Sequence, residues 1–399
     1  MNKFLLSLMV LLPLSTFVVA QDNTEEETIE EVVTTGIKSS LIDAIAIKRN
    51  NVGVTEIVTA EDLGKFPDGN IAEALARVSG IAIDRSNVEG KEVSVRGMGA
   101  QFNMVTLNGR QMPVAPTEYA GGRSFDFGAI SSHGISRLEV YKTQNAALPS
   151  GGLGATINMV TAKPLETNNG GAFSALLMDD STNVNGKIRT PEIEFINNYK
   201  SEYNGLAWGV SLSGSYHERS NREETTNEMK WLPSNLNAPT FGPNVTDNSA
   251  AGSTNYRPQS YFVKFKDNDR TRKNLAGTFQ VAINDVVVTF DAIYSGQEMI
   301  SSGFEAGSPL DIAYNVPYGA GIGMNNVTID SNGVVTQLDV VGSGTNFVNN
   351  LQWSGDKTSN LSKGLNIDWT VNDALTLTFD AHDSSAQNKG GSNDMGFAN

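Results

Sequence analysis

The sequence predicts a compact α+β domain followed by a long antiparallel β-sheet of the kind that crosses a membrane. Three observations carry this prediction. Helical and strand periodicities mix over residues 41–165 and give way to period-two alternation over 166–399. Tight turns alternate with long polar connections in the second half. The mean hydropathy of −0.24 excludes a bundle of transmembrane helices but not membrane strands, which are only half apolar. The length of 399 residues calls for two or more units. A net charge of −15 argues against a nucleic-acid binder, which needs a basic surface for phosphates. The absence of cysteine excludes a disulfide framework, a thiolate metal site and a cysteine nucleophile.

Residues 1–20 open with Lys3, continue as a nearly unbroken apolar run from Phe4 to Val19, and place small residues at Val18 and Ala20. This is the pattern of a secretory signal peptide cleaved after Ala20. A transmembrane anchor is disfavoured by Pro13 and by the acidic rather than basic stretch that follows. Residues 21–40 then form a tether. Its first part, 21–31, carries six acids and no base, and cannot bury enough apolar surface to order itself. The short β-prone run Val32-Val33-Thr34-Thr35 is either a strand that pairs with another protein's sheet edge or the first strand of the following domain.

Within 41–165, Ile71, Ala74, Leu75 and Val78 recur at helical spacing. Asn70 is placed as N-cap, Glu73 three residues later completes a capping box, and Gly80 ends the helix. Strands are expected at 92–96, 104–107, 135–141 and 155–160, with Asn108-Gly109 as a tight turn after the second. The glycines at 97, 99, 121, 122, 151, 152 and 154 match neither a Walker loop nor a dinucleotide fingerprint, and read as turns.

Beyond residue 165, apolar side chains fall on every second position. Leu206, Trp208, Val210 and Leu212 oppose Ala207, Gly209, Ser211 and Ser213. The same alternation runs through 275–283, 286–294, 365–371 and 375–381, and more weakly through 171–178 and 192–200. These segments suit tilted strands crossing a bilayer, which need about 9–11 residues each. A soluble sandwich also alternates, but rarely carries connections as long as 217–274 and 295–363. The turns at 201–205, Asn284-Asp285 and Asn372-Asp373 are short and fall on one side. A Thr-Phe-Asp-Ala sequence recurs after two of them, at 289–292 and 378–381. Parity requires that 261–266 lie in the long loop or extend the next strand above the membrane, because a lone extra crossing would reverse the following strand.

Several motifs resemble those of the TonB-dependent outer-membrane receptors. Val93-Ser94-Val95-Arg96-Gly97 and Val105-Thr106-Leu107-Asn108-Gly109 look like the plug core of that family. Leu138-Glu139-Val140-Tyr141-Lys142, followed by Gly151-Gly152-Leu153-Gly154-Ala155-Thr156-Ile157-Asn158, looks like the end of the plug. Glu30-Glu31-Val32-Val33-Thr34 is similar to the TonB box. The run from Phe66 to Leu75 resembles a proteobacterial subfamily often linked to carbohydrate uptake. The resemblance implies an α+β plug domain (41–165) followed by an incomplete antiparallel transmembrane β-barrel (166–399). Seven crossings fit after the plug, against about 22 in a complete barrel. An odd number leaves an open edge, so the chain is expected to hold the N-terminal portion of the barrel.

By the same resemblance, the expected function is active transport of an oligosaccharide across the outer membrane of a Gram-negative bacterium. TonB and its inner-membrane energising complex, and the outer-membrane lipid, are the implied partners. A ferric-siderophore receptor of the same architecture, or a secreted β-rich binding module, is the alternative. A signalling receptor would need a further N-terminal domain before the box. No catalytic residue, metal or cofactor is expected: His133, His217 and His382 are scattered, and Asp179-Asp180 and Asp267/Asp269 lack calcium-loop spacing. Ligand contacts are expected in plug loops at Arg85, Asn87, Gln101, Asn103, Tyr119 and Arg123, where aromatic, amide and guanidinium groups suit either ligand. Arg96 is expected at the plug–barrel seam. Lys142-Thr143-Gln144 stands where many plugs carry Arg-Gly-Pro, so a second seam arginine is not expected there.

Overall fold

A computed structural model describes residues 44–49, 51, 53–59, 70–86, 89–115, 122–227, 231–234, 243–309, 322–342 and 348–398. The leader, the acidic tether and the box lie outside the described residues.

A short helix, α1 (44–49), precedes a helix α2 (Ile71–Leu75) that is tied down by its cap. Asn70 sits in extended backbone, φ −162° and ψ 173°, and its side chain accepts the Glu73 N–H at 3.2 Å. The expected capping box closes only halfway. The Glu73 carboxylate turns away to accept the Gly90 N–H at 2.9 Å, while Asn70 Nδ2 donates to the Gly90 carbonyl at 2.8 Å. Capping groups thus double as stitches between helix and neighbouring strand. The helix stops at Leu75, short of the expected Val78, and the chain turns through Gly80 at φ 72°. Ile71, Ala74, Leu75 and Val78 are all buried, as their spacing predicts.

The first sheet contains β1 (Thr55–Thr59), β4 (Met104–Leu107), β5 (Arg110–Gln111), β6 (Ile135–Tyr141) and β7 (Thr156–Thr161), in the order β1-β6-β7-β4-β5. Only β4 and β7 pair in parallel. A hairpin of β2 (Ile81–Ser86) and β3 (Glu89–Val95) stands beside it. Asn108 (φ 51°) and Gly109 (φ 81°) make the predicted β4–β5 turn, whose two positive φ values favour Asn-Gly. The glycine run before β7 is a packing requirement: a Cβ on Gly152 would stand 2.6 Å from the Ala155 carbonyl oxygen. Leu138, Val140, Ile157, Met159, Leu107 and Phe127 form the centre of the core.

The second sheet holds seven strands in the order β19-β18-β15-β14-β10-β9-β8. They are β8 (Gly170–Met178), β9 (Thr190–Tyr203), β10 (Leu206–Asn227), β14 (Ser260–Ile283), β15 (Val286–Pro309), β18 (Val348–Asn372) and β19 (Leu375–Ala398). All pairs are antiparallel, and β8 and β19 form two open edges. Between β10 and β14 lie β11 (Trp231–Ser234), β12 (Val245–Asp247) and β13 (Asn255–Pro258), and between β15 and β18 lie β16 (Ile322–Ile329) and β17 (Val335–Gly342). Strands β12, β16 and β17 join as a small sheet around Val327, Ile329 and Val335.

The polarity of this second sheet is inverted relative to a soluble protein. Phe279, Phe290, Trp369, Leu377 and Phe379 are all more than 40% exposed. Their sheet neighbours on the opposite face, Ser211, Ser213, Thr278, Gln280, Asp291 and Ser362, are all buried. Tyr199 and Trp208 pair near the β9–β10 turn, ring centroids 5.5 Å apart, on the apolar face. Aromatics at that level mark a membrane interface.

Two expectations need correction. The connections taken as loops over 217–274 and 295–363 are largely strand, since β10 has 22 residues, β14 and β15 have 24 each and β18 has 25. Farther from the tight turns polar residues interrupt the apolar face, so the period-two signal fades while backbone pairing continues. Residues 261–266 accordingly extend β14, one of the two placements parity allowed. The last tight turn sits at Asp373-Ala374, one residue later than expected, after a register shift between Thr370 and Asn372.

Replacing Phe279 by Lys places a charge on the apolar face and should destabilise the membrane-inserted sheet by about 2–4 kcal/mol at mid-bilayer depth. The same change at Thr278, on the buried polar face, should leave bilayer partitioning intact. Denaturant titration in lipid vesicles would measure both.

Candidate plug–sheet interface

The first domain seats on the polar face of the second sheet through three clusters of charged side chains. The first grows from the Asn-Gly turn. Arg110, immediately after it, is 7% exposed and reaches across three strands. Its Nη1 donates to Asp291 Oδ2 at 2.6 Å, and its Nε and Nη2 donate to the two oxygens of Asp380 at 2.8 Å each. Asn108 Nδ2 donates to the other Asp291 oxygen at 3.0 Å. Asp291 and Asp380 are the aspartates of the two Thr-Phe-Asp-Ala repeats, on β15 and β19. Between them runs β18, and there Gly364 faces the guanidinium: a Cβ would stand 1.6 Å from Arg110 Nη1. Only glycine admits the arginine at that height. Burial alone would lower the Arg110 pKa, but the two carboxylates outweigh it and raise it above its ordinary value.

The second cluster surrounds Glu89 at the head of β3. Arg270 donates to both of its oxygens at 2.5 Å, Arg272 to one at 2.7 Å and Arg219 to one at 3.0 Å. Arg219 also grips Asp180 at 2.7 Å. Burial would raise the Glu89 pKa; the guanidinium groups, Arg270 first, overcome it and hold the carboxyl far below the usual carboxylate range.

The third cluster joins the turn before β6 to β9 and β10. His133 Nε2 lies 3.0 Å from Glu194 Oε2, and His217 Nε2 lies 2.9 Å from Glu194 Oε1. Gly134 brings this turn against the sheet, since a Cβ there would meet Ser213 Oγ at 2.2 Å. Ala276 and Ile293 of the sheet complete the apolar core of the first domain. A polar cavity of about 360 Å³ remains beside the first cluster, bordered by Arg137, Asn158, Lys163 and Asp368.

The expected ligand residues fall in two places. Arg85 lies on β2 and pairs with Glu73 at 2.9 Å, its side chain still half exposed. Gln101 is exposed on the 3-10 turn Ala100–Phe102, and Arg123 is exposed beside Gly151. Asn103 donates to the Val93 carbonyl at 2.7 Å and packs closely on Gly154, so it holds the loops together. Asn87 and Tyr119 lie outside the described residues. Arg96 is exposed, at φ 53°, and its side chain has no ion-pair partner among the described residues. Arg110 is the seam arginine that sequence reasoning missed, and the repeated aspartates were its signal. Lys142 turns inward instead, donating to the Ser79 carbonyl at 2.7 Å.

A sheet apolar outside and polar inside, with a globule ion-paired to its polar face, is the arrangement of a plug seated on a membrane-type β-sheet. Residues 47–156 match the family of the TonB-dependent receptor plug domain. Residues 47–156 are therefore a plug domain of this type, and an open seven-stranded antiparallel sheet follows it in the chain. No curated protein sequence matches it. Among solved structures it is similar to the siderophore receptor PirA from Acinetobacter baumannii, at 12% identity and TM-score 0.33, over 85% of this chain and 58% of that one. It is also similar to the outer membrane transporter YddB from Escherichia coli, at 10% identity and TM-score 0.34, over 86% and 56%. The chain thus spans somewhat over half the length of the solved receptors it matches.

Arg110→Ala strands the buried Asp291 carboxylate and should weaken plug seating by about 3–5 kcal/mol, read as earlier proteolysis of the plug in a denaturant series. The Glu89 cluster should persist through mild acid. A carboxyl with a depressed folded-state pKa contributes its stabilisation fully above the ordinary value of 4.5 and loses it only as pH falls toward the depressed one. Protease accessibility of the β2–β3 hairpin should accordingly stay constant from pH 7 to about 5, and Glu89→Gln should open it throughout that range.

Proposed function

We propose that this chain is the plug-bearing portion of an outer-membrane receptor that imports a scarce oligosaccharide, energised by TonB. The single observation that supports the membrane-receptor part of this reading is the inverted sheet: its exposed Phe279, Phe290 and Phe379 suit lipid, and its buried polar face is filled by the plug.

In this reading Glu30, Glu31, Val32, Val33 and Thr34 recruit TonB by strand addition, where main-chain hydrogen bonds supply the affinity. The acidic tether keeps that segment solvated and within reach of the periplasm. A pull on it passes through α1 to β1, which among the described residues is an edge strand of the plug sheet, paired with β6 alone. An edge strand loaded from one end separates pair by pair, so the plug can open without the whole core unfolding at once. The Lys48–Glu56 ion pair and the bond from Lys142 N–H to the Val54 carbonyl at 2.8 Å resist the first steps.

In the same reading the plug-loop residues Arg85, Asn87, Gln101, Asn103, Tyr119 and Arg123 meet the ligand. Amide, guanidinium and phenol groups suit sugar hydroxyls by hydrogen bonding and stacking. No bond is made or broken in such a cycle, so no catalytic constellation is assigned. Cells carrying or lacking the gene, grown on single glycans and separately under iron limitation, decide the ligand. A defect confined to one glycan supports the oligosaccharide; a defect only under iron limitation replaces it with a ferric siderophore.

Val33→Pro removes a main-chain donor and restricts the backbone at the centre of the box. Uptake should fall to background while binding of ligand to whole cells is retained. Unchanged uptake would remove the box assignment.

A further inference from the structure

The three histidines lack metal-ligand spacing in the sequence, yet two of them meet over one carboxylate in the fold. His217 on β10 stands directly opposite Glu192 on β9, and Glu194 lies two residues along on the same inward face. One ligand atom from each of Glu192, Glu194 and His217 falls within 4.8 Å of the others. Their side chains are 19%, 14% and 11% exposed. In a tetrahedral site with bonds of about 2.0–2.1 Å, ligand atoms stand about 3.3 Å apart. His217 Nε2 stands 2.9 Å from Glu194 Oε1, while Glu192 Oε1 lies 3.8 Å from the other ring nitrogen, Nδ1; only one nitrogen can ligate, and with one atom taken from each residue the three still fall within 4.8 Å. Small side-chain rotations therefore suffice to seat an ion.

The surroundings are arranged as metal sites arrange theirs. The second Glu194 oxygen is 3.0 Å from His133 Nε2 on the plug, and His133 Nδ1 lies 3.0 Å from Ser131 Oγ. A ligating carboxylate whose free oxygen is held by an oriented imidazole is fixed in direction, and loss of such an outer partner weakens binding by about 10–100-fold. Two carboxylates and one imidazole, without thiolate, suit a borderline divalent cation such as Zn²⁺ more than a soft or a large hard one.

We propose that Glu192, Glu194 and His217 form a Zn²⁺-type divalent cation site on the inner wall of the sheet, and that His133 of the seated plug completes it through Glu194. Metal occupancy and plug seating are then linked, because each supports the same orientation of one carboxylate. The ion clamps β9 to β10 and holds Glu194 aimed at the plug. By reciprocity, withdrawal of His133 loosens the ion. This linkage does not depend on which ligand the receptor carries.

The full chain, folded in detergent, is titrated with Zn²⁺ against a chromogenic chelator and, separately, with Co²⁺ while its visible absorption is followed. One equivalent of Zn²⁺ should bind, and Co²⁺ should show the strong visible bands of a low-symmetry site of four or five ligands. His217→Asn and Glu194→Gln should abolish both signals. His133→Asn should retain the Co²⁺ bands but weaken Zn²⁺ by about 10–100-fold, and Zn²⁺ should slow proteolysis of the plug in the wild type only. If the folded wild-type chain binds no stoichiometric Zn²⁺, the cluster is a hydrogen-bonded latch and the proposal falls. It falls equally if binding survives His217→Asn, which would place the ion on surface acids. The wild-type Co²⁺ spectrum stands as a test even where a variant fails to fold.

Discussion

The constraint that governs this molecule is that the long sheet strands carry an apolar flank that none of the described residues covers. Phe279, Phe290, Trp369 and Phe379 face outward with no second layer of the described residues packed over them, while serines, threonines and an aspartate are buried opposite. In water this arrangement would be unfavourable twice over: apolar surface stays wet, and polar groups lose their solvent. In a bilayer both costs change sign or shrink. Lipid covers the apolar flank, and strand pairing satisfies the backbone everywhere except along the outer edges of β8 and β19. What remains is the polar interior, and the plug exists in the structure as the partner that fills it.

That filling is done with charges more than with apolar contact. Ala276 and Ile293 join the plug core, but the ties with the sharpest geometry are Arg110 to Asp291 and Asp380, and Glu89 to three arginines. Buried ion pairs add little net stability compared with a well-packed apolar contact, yet breaking one partner leaves a stranded charge. Such pairs therefore specify one seated position and penalise near misses. An interior built this way can separate and reseat without a greasy surface to aggregate, because each exposed group is soluble once released.

The sequence made the fold legible where local chemistry and tertiary role coincide. Asn70 caps a helix in any context that supplies the following residues, Asn108-Gly109 turns a hairpin, and alternation at 206–212 or 275–283 marks the faces of a strand. It was less legible where pairing continues without periodicity, so that 217–227 and 260–274 looked like loops. The charged seam was legible only in fragments. The Thr-Phe-Asp-Ala repeat was visible, but nothing local says that its aspartates converge on Arg110 from strands that are not neighbours. Arg96, flanked by glycine in the same way, is exposed. Likewise His133 and His217 are 84 residues apart in number, and only the β9–β10 register together with the close approach at Gly134 brings both to Glu194.

The reach of Arg110 has a mechanical consequence. Its guanidinium spans from β15 to β19 over the bare backbone at Gly364, like a rivet through three adjacent staves. Tension drawing the plug along the axis loads its short bonds to both aspartates together, in shear, whereas β1 at the far edge of the plug sheet yields in sequence. Rupture should then be graded at one end of the plug and abrupt at the other, with the rivet giving way in a single event after the edge has already unravelled.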